Sequence, residues 1–305
     1  LTEALALADA DDQALVGRVT LYKNMLAVTK LRVVAIQLLA AAMQCAEFQT
    51  QEHVAMRMRI ISVYFKCLYS SSEEVVAVAY DSLKATLAQQ SKLPKDLLRS
   101  GLQPILMTLA DRHRLTSAGL DGLAHLLQLL TNYFKVEIGI KLLDHLSALA
   151  EPAMLRRAAA GPLDTHEKLR ILTAIVRVFH LLPDTAYQFL PRLLVYVAEI
   201  ESHLRRSGPT PLTDMLTLFL DHFSEHAVRY YFESDGHVRF TDVLQNPRLF
   251  RLLRLALQSP RGASLRRELS RRAETLFLPL LSDASNTQSV YAALQLLEAL
   301  VQHEP

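Results

Sequence analysis

Residues 248–257, RLFRLLRLAL, repeat leucine and arginine with the period of an α-helix. The apolar residues follow the spacing i, i+3, i+4, i+7, i+8, which puts them on one helical face: Leu249, Leu252, Leu253, Ala256 and Leu257. The arginines fall on the opposite side: Arg248, Arg251 and Arg254. A helix with one apolar and one charged face packs against other helices along the first face and meets solvent along the second.

The same periodicity recurs along nearly the whole chain, and no stretch alternates apolar and polar residues long enough to predict a strand. Proline and capping residues divide it into about 14 helices. The predicted helices are 12–28, 30–47, 52–69, 72–90, 94–110, 116–134, 136–150, 164–181, 184–204, 210–222, 224–233, 246–258, 263–281 and 286–303. These make roughly seven antiparallel pairs, and one pair every forty-odd residues is the period of HEAT repeats.

We therefore predict an all-α fold, an α-solenoid of HEAT-like antiparallel helix pairs. Most of the predicted helices keep one polar face, as stacked repeats require. Only 30–47 is apolar enough to be buried on most sides. The links at 156–165, 205–211 and 233–240 are too short to separate domains, so we expect residues 1–305 to form a single continuous array. Both ends look cut from a longer polypeptide.

Composition excludes several classes of protein. The chain has 305 residues, half of them hydrophobic, and a formal net charge of +2. That balance is not typical of a strongly basic nucleic-acid binder. The most apolar stretch, 33–43, is too short to span a bilayer, and the N-terminus does not look like a signal peptide. Cys45 and Cys67 lie in apolar helical runs, which predicts two buried, reduced thiols.

Helix starts are predicted from capping patterns. Ser71 with Glu74, and Asp164 with Glu167, have the spacing of a capping box, in which side chains bind the free amide groups of the first turn. Pro191 and Pro279 lie inside apolar runs and should either start a helix or kink one.

The stretch DHFSEHAVRYYF, 221–232, contains the pattern His-x-x-Glu-His in His222, Glu225 and His226. A zinc site of this type needs both histidines on one helical face and a third ligand elsewhere. Ser224, however, is a good N-cap residue, and Phe223 with Val228 has the spacing of a hydrophobic staple. We therefore predict a turn between two helices here, with the two histidines pointing in different directions.

No motif for nucleotide binding or for a catalytic nucleophile occurs in the sequence, which lacks phosphate-binding glycine loops and the GxSxG elbow. We expect no catalytic residue, no metal ligand and no cofactor.

One charge feature stands out, since residues 248–272 contain eight arginines and one acid, Glu268. Arginine binds carboxylates and phosphates through two parallel hydrogen bonds. The cluster therefore predicts docking of an acidic partner, although a solvated face paired with acids from elsewhere explains the same pattern. Because Phe250 is the only aromatic residue inside the cluster, an acidic protein segment fits better than single-stranded nucleic acid. The eight arginines are Arg248, Arg251, Arg254, Arg261, Arg266, Arg267, Arg271 and Arg272.

Residues 93–146 carry a family resemblance. The blocks LPKDLL, GLQPILMTLAD and LLTNYFKVEIG resemble the TRRAP family (transformation/transcription domain-associated protein and its fungal orthologues). FHLLP at 179–183 and LFLDHFSEHAVRYYF at 218–232 are similar in a looser way. The resemblance covers the chain in order and is tight over about 50 residues.

The resemblance implies a segment of the N-terminal HEAT region of a very large protein. TRRAP-type proteins are relatives of the phosphatidylinositol-3-kinase-like kinases, with a kinase-like domain that lacks catalytic residues. They scaffold histone acetyltransferase complexes, including SAGA, in the nucleus and receive transcription activators. The expected partners are thus complex subunits, acidic activators and the rest of the same polypeptide, with neither a membrane nor direct contact with nucleic acid.

The leading hypothesis is thus a non-catalytic scaffold segment of a transcription co-activator. One alternative is a metal-dependent hydrolase that uses His222, Glu225 and His226. The other is a nucleic-acid-binding solenoid that uses the Arg248–Arg272 cluster, whose affinity would fall steeply with salt.

Overall fold

A computed structural model of the chain describes residues 22–70, 72–89, 98–99, 102–103, 106–107, 109–234, 237–238, 246–282 and 286–302. These residues form fourteen α-helices, several short 3-10 turns and one pair of two-residue strands, β1 (Glu233–Ser234) and β2 (His237–Val238). The all-α prediction is confirmed. The helices are α1 (Tyr22–Gln44), α2 (Val54–Cys67), α3 (Glu73–Gln89), α4 (Ser117–Leu130), α5 (Ile138–Leu149), α6 (Pro152–Ala159), α7 (Glu167–Val178), α8 (Leu190–Leu204), α9 (Pro211–His222), α10 (Ser224–Phe232), α11 (Pro247–Gln258), α12 (Ala263–Arg271), α13 (Ala273–Ser282) and α14 (Thr287–Val301).

The chain divides into two compact units, which meet in sequence at Leu129 and Leu130. In the first unit, α3 packs against both α1 and α2. Its core is made of apolar side chains that are fully buried, among them Ile36, Ile61 and Leu83. Burying side chains of this size is the main source of stability for such helix pairs.

In the second unit the helices stack in two rows. One row runs α6, α8, α11, α14 and the other runs α7, α9, α12, with α9 also packing against α11. Between neighbouring helices the rings of Phe179, Phe189 and Phe219 meet edge to face, with centroid separations of 5.8 and 6.1 Å. Each helix therefore buries its apolar stripe against the preceding and following pair, which confirms the predicted HEAT-like pairing.

Arginines tie successive loops together in this unit. Arg206 Nη2, in the link between α8 and α9, donates to the carbonyl oxygens of Ala159 at 3.0 Å and Gly161 at 2.8 Å. Arg251 Nη2, in α11, donates to the carbonyl oxygen of Gly208 at 3.3 Å and also to that of Arg206. The contacts satisfy carbonyl groups after a helix end, where the backbone has no intrahelical donor.

Several boundaries differ from the prediction. One helix, α1, runs through the break that was predicted between 28 and 30. The predicted link 156–165 overlaps α6, and the helix predicted at 263–281 is two helices, α12 and α13, with Arg272 between them. Short helices explain the last two differences, because α6 and α12 have eight and nine residues, too few for clear periodicity.

The predicted caps are partly wrong. Asp164 lies in a 3-10 turn and α7 begins one residue after His166, which makes no capping hydrogen bond with its side chain. A capping box is found instead at the start of α9, formed by Thr210 and Thr213. Pro191 lies in the first turn of α8, as predicted, and Pro279 lies inside α13. Ser71, and much of the helices predicted at 12–28 and 94–110, lie outside the described residues.

The prediction that 30–47 is buried on most sides is wrong. Leu31, Val34 and Leu38, at helical spacing on α1, are 62%, 50% and 55% exposed. Cys67 is buried as predicted, whereas Cys45 is exposed, and neither forms a disulfide. Among the described residues, no helix is both long enough and apolar enough to cross a membrane.

Candidate docking surface for an acidic partner

Helix α11 places the first three arginines of the cluster. Asn246 caps it by accepting a hydrogen bond from the amide of Arg248 at 3.2 Å, and Pro247 occupies the first turn. The predicted apolar stripe is buried along its whole length. The opposite side therefore carries Arg248, which is exposed, and the half-buried Arg251 and Arg254.

Both half-buried arginines, Arg251 and Arg254, face the protein. Arg251 donates hydrogen bonds to the backbone carbonyls of Arg206 and Gly208. The Nε atom of Arg254 is buried and has no hydrogen-bond partner in the described part of the chain. Neither guanidinium is fully available to a partner.

Arg266 holds the end of α11. Its Nη1 atom donates to the carbonyl oxygens of Leu257 at 2.8 Å and Ser259 at 2.6 Å. A cation at a helix C-terminus is favoured by the negative end of the helix dipole. Nearby, Arg261 and Arg267 are exposed.

Arg272 is the centre of an ion-pair network. Its guanidinium lies 2.7 Å from Glu268, 3.0 Å from Glu233 and 3.6 Å from Glu225, and its side chain is only 18% exposed. The exposed Arg271 pairs with the same Glu268 oxygen at 2.8 Å. The hydrogen bond from Arg271 and the charge of Arg272 lower the pKa of Glu268.

The eight arginines thus do not form one free basic surface. Counting charge along 248–272 finds only Glu268, but the fold adds Glu225 from α10 and Glu233 from β1. Three arginines keep exposed side chains with no hydrogen bond or ion pair to any described residue: Arg248, Arg261 and Arg267. If the cluster docks an acidic partner, these three are the positions available for it.

The His222–Glu225–His226 stretch is a joint between two helices. Helix α9 ends at His222 and α10 begins at Ser224, so the predicted turn is confirmed, although the N-cap is Phe223 rather than Ser224. The ring of His226 stacks on Tyr187 with a centroid distance of 4.0 Å, and Glu225 pairs with Arg229 at 2.6 Å.

The other histidine, His222, packs edge-on against Phe223. It also lies near the half-buried His180, whose pKa is lowered to about 4, mainly by burial and further by His222 and Arg177. In the described ranges, no group of three or more His, Cys, Asp or Glu side chains is close enough to hold a metal ion.

No sequence motif pointed to Glu201. It is only 2% exposed, in the last turn of α8. Its Oε1 accepts a hydrogen bond from the hydroxyl of Thr210 at 2.5 Å, while Oε2 is buried without a partner in the described residues. Burial raises the pKa of its carboxyl, against the opposing effects of Thr210 and Arg251. The sequence does contain a signal for this burial, because Glu201 follows Val197 by four residues and so lies on the apolar face of α8.

The profile of a protein family described as the Tra1 HEAT repeat ring region matches residues 1–305. Among similar proteins, the SAGA complex/NuA4 acetyltransferase complex subunit Tra1 of Schizosaccharomyces pombe is 41% identical over 251 residues, 80% of this chain and 7% of that protein. The corresponding subunit of Saccharomyces cerevisiae is 40% identical over 76% of this chain and 6% of its own length. The transformation/transcription domain-associated protein of Homo sapiens is 24% identical over 75% of this chain and 6% of its own length.

This chain therefore spans less than a tenth of the length of these relatives. The match of the family profile covers every residue, and the two fungal relatives exceed 30% identity over more than two thirds of the chain. The resemblance seen in LPKDLL, GLQPILMTLAD and LLTNYFKVEIG is thereby confirmed. The chain belongs to the Tra1/TRRAP family, as a segment of its HEAT repeat ring region.

Proposed function

We propose that this chain is a non-catalytic scaffold segment of a nuclear transcription co-activator, a subunit of a histone acetyltransferase complex. The observation that carries the proposal is the match to the Tra1 HEAT repeat ring region over residues 1–305, together with relatives named as SAGA and NuA4 complex subunits. The packing supports it, since stacked helix pairs with one polar face offer an extended surface for protein partners. In this proposal residues 1–305 are one stretch of a single longer array.

The scaffold role is tested by purifying the whole protein from nuclei, cross-linking it through lysines and identifying the cross-linked peptides by mass spectrometry. Three exposed lysines of the second unit serve as reporters: Lys135, Lys141 and Lys168. We expect subunits of an acetyltransferase complex to co-purify and to cross-link to at least one of them. Recovery of the protein without any such subunit would overturn the proposal.

A finer part of the proposal is that the exposed arginines of the cluster receive an acidic protein partner. Arg248, Arg261 and Arg267 support it because each presents a guanidinium that nothing in the described chain engages. Arg251, Arg266 and Arg272 already bind backbone carbonyls or carboxylates, so they stabilise the fold instead.

Charge reversal separates these roles. The triple variant Arg248→Glu, Arg261→Glu, Arg267→Glu should weaken binding of an acidic transcription activation segment by about tenfold or more, because rim charges set electrostatic attraction. The matched control reverses three exposed cations elsewhere on the second unit: Lys135, Arg156 and Lys168. Equal affinities for the two triple variants would show that the Arg248, Arg261 and Arg267 positions are not the docking surface.

A further inference from the structure

Two of the twelve prolines in the sequence follow a residue with a hydroxyl group: Pro260 follows Ser259, and Pro211 follows Thr210. A serine or threonine directly before a proline is the minimal substrate motif of proline-directed protein kinases. The two motifs look alike in the sequence, so only the fold decides which of the two hydroxyl groups a kinase can reach.

The Thr210 motif is inaccessible in the folded chain. Thr210 is only 2% exposed and is the N-cap of α9. Its hydroxyl donates to Glu201 Oε1 at 2.5 Å and accepts a hydrogen bond from the amide of Thr213 at 3.2 Å. A phosphoryl group at this position would be buried beside a carboxylate, which is strongly unfavourable. The fold therefore excludes Thr210 as a substrate.

The Ser259 motif lies in the short surface loop between α11 and α12. Gln258, Pro260 and Arg261 are exposed, and Ser259 is half-buried. Ser259 has extended backbone angles, φ −74° and ψ 139°, as a residue before proline is expected to have. Its hydroxyl accepts a hydrogen bond from the amide of Arg261 at 3.3 Å and donates to no described residue. The Ser259 hydroxyl is thus the one of the two that the fold leaves accessible.

Cationic groups surround this hydroxyl. Arg261 is exposed, pairs with no described acid and directs its amide at the Ser259 hydroxyl. The guanidinium of Arg266 is held beside the same residue, because its Nη1 atom donates to the Ser259 carbonyl oxygen at 2.6 Å. The amides in the first turn of α12 already donate to Asp221, so the two arginines are the partners left for a phosphate. A phosphoserine beside arginines gains charge-assisted hydrogen bonds of this kind.

We propose that Ser259 is a phosphorylation site for a proline-directed kinase, and that its phosphate binds Arg261 and Arg266 and thereby prevents docking of the acidic partner. The Ser259 oxygen attacks the γ-phosphorus of ATP, and the bond from this phosphorus to the oxygen bridging to the β-phosphate breaks. ADP leaves, and the hydroxyl proton passes to the catalytic aspartate of the kinase.

The phosphate adds a charge of about −1.5 to −2 at neutral pH. It supplies from within the chain the anion that an acidic partner would otherwise bring to Arg261. This regulatory step deepens the docking function proposed above and rests on it, whereas the modification of Ser259 stands independently of that function.

The first experiment incubates the full chain with a mitogen-activated protein kinase and ATP, and locates the phosphate by mass spectrometry. Synthetic peptides spanning 205–216 and 254–265 are the unfolded controls, and both should be phosphorylated. In the folded chain we expect stoichiometric phosphate at Ser259 and less than about a tenth as much at Thr210, which is reached only when the chain opens locally. An unmodified Ser259 in the chain, alongside a modified 254–265 peptide, would overturn the proposed site.

Phosphorus NMR tests the contact with the arginines. The second pKa of the phosphate on Ser259 should be lower in the folded chain than in the phosphorylated 254–265 peptide, because fixed guanidinium groups favour the dianion. Arg261→Gln should reduce this difference, whereas Arg248→Gln, at the other end of α11, is the matched control and should leave it unchanged. A phosphate that titrates alike in the chain and in the peptide would show that Arg261 and Arg266 do not bind it.

Fluorescence anisotropy with a labelled peptide of alternating aspartate and leucine residues measures the docking. Phosphorylation of the wild-type chain should weaken binding about fivefold or more, because charges at the edge of a contact surface set its electrostatic attraction. Treating Ser259→Ala with the kinase should leave the affinity unchanged.

The two proposals fail in different ways. If the phosphorylated chain binds the peptide as tightly as the unmodified chain, the regulatory step is wrong and the docking function stands. If the unmodified chain binds no more tightly than the triple variant Arg248→Glu, Arg261→Glu, Arg267→Glu, the docking function and its regulation are wrong, and the mass spectra and the phosphorus titration still decide the modification of Ser259.

Discussion

The guanidinium of Arg251 donates a hydrogen bond to the carbonyl oxygen of Arg206, 45 residues earlier in the chain. The guanidinium of Arg206 makes the equivalent contact with the carbonyl oxygen of Gly161, another 45 residues earlier. A separation of 45 residues lies within the period of HEAT repeats. Hydrogen bonds of the same kind therefore join the loops of successive helix pairs. The structural repeat is thus visible in these side chain-to-backbone hydrogen bonds, although the sequence itself shows no obvious repeat.

We predict that Arg206→Ala and Arg251→Ala each lower the free energy of unfolding by about 1 kcal/mol, because each removes charge-assisted hydrogen bonds to loop carbonyls. Urea denaturation followed by circular dichroism measures the change. Arg267→Ala is the control, since this exposed side chain makes no such bond with the described residues. Equal midpoints for Arg251→Ala and Arg267→Ala would mean that the bonds between loops add no stability.

Gly262 is predicted to be intolerant of any side chain. A Cβ atom at this position would lie 2.2 Å from the carbonyl oxygen of Ala256, a backbone atom that cannot move aside without distorting α11. Gly262→Ala should therefore lower the free energy of unfolding by about 1–3 kcal/mol, the usual range for overpacking. Gly208→Ala, where nothing lies within 4 Å of the added Cβ, is the matched control and should be close to neutral in thermal melts. A Gly262→Ala variant as stable as the wild type would show that α11 and α12 separate easily.

Replacing Arg272 should lower the free energy of unfolding more than replacing its neighbour Arg271. Arg272→Ala breaks the ion pairs with Glu225, Glu233 and Glu268. Because the Arg272 side chain is mostly buried, we expect the free energy of unfolding to fall by about 2 kcal/mol. Arg271→Ala removes an exposed ion pair with Glu268 and should leave the urea midpoint within error, as surface pairs usually do. If the two variants were equally stable, the network around Arg272 would not hold α10 and α12 together.

Periodicity predicted the helices well where they are long and one-sided. The stripe of α11 is buried as its spacing requires. The predicted turn is present at Phe223, although no side chain caps the start of α10 there. Periodicity failed for α6, because eight residues give barely two turns. It also failed for α1, where an apolar sequence was taken as buried although Leu31 and Val34 are exposed.

The sequence predicted the arginine cluster but not which of its arginines are already paired within the fold. The sequence shows which charges are near each other along the chain, but the partners of Arg272 include Glu225 and Glu233, which come from other elements of the fold. Likewise the role of Arg251 depends on the 206–208 link, 43 to 45 residues away. Only the tertiary packing separates arginines that stabilise the fold from arginines that are free to bind.

His180 should make the protein sensitive to acid. Burial, with repulsion from His222 and Arg177, lowers its pKa to about 4 in the folded chain, against an unfolded value of about 6.5. Between these values the unfolded chain binds more protons than the folded chain, so the free energy of unfolding falls as the pH falls. From pH 7 to pH 5 the loss should be about 2 kcal/mol.

Urea midpoints at the two pH values measure this effect in the wild type and in His180→Gln, which cannot titrate. We expect the fall in the free energy of unfolding between pH 7 and pH 5 to be smaller in His180→Gln, because glutamine takes up no proton when the chain unfolds. His203→Gln, in the last turn of α8, is the control and should keep the acid loss of the wild type. If the loss of unfolding free energy were unchanged in His180→Gln, the acid sensitivity would come from a group other than His180.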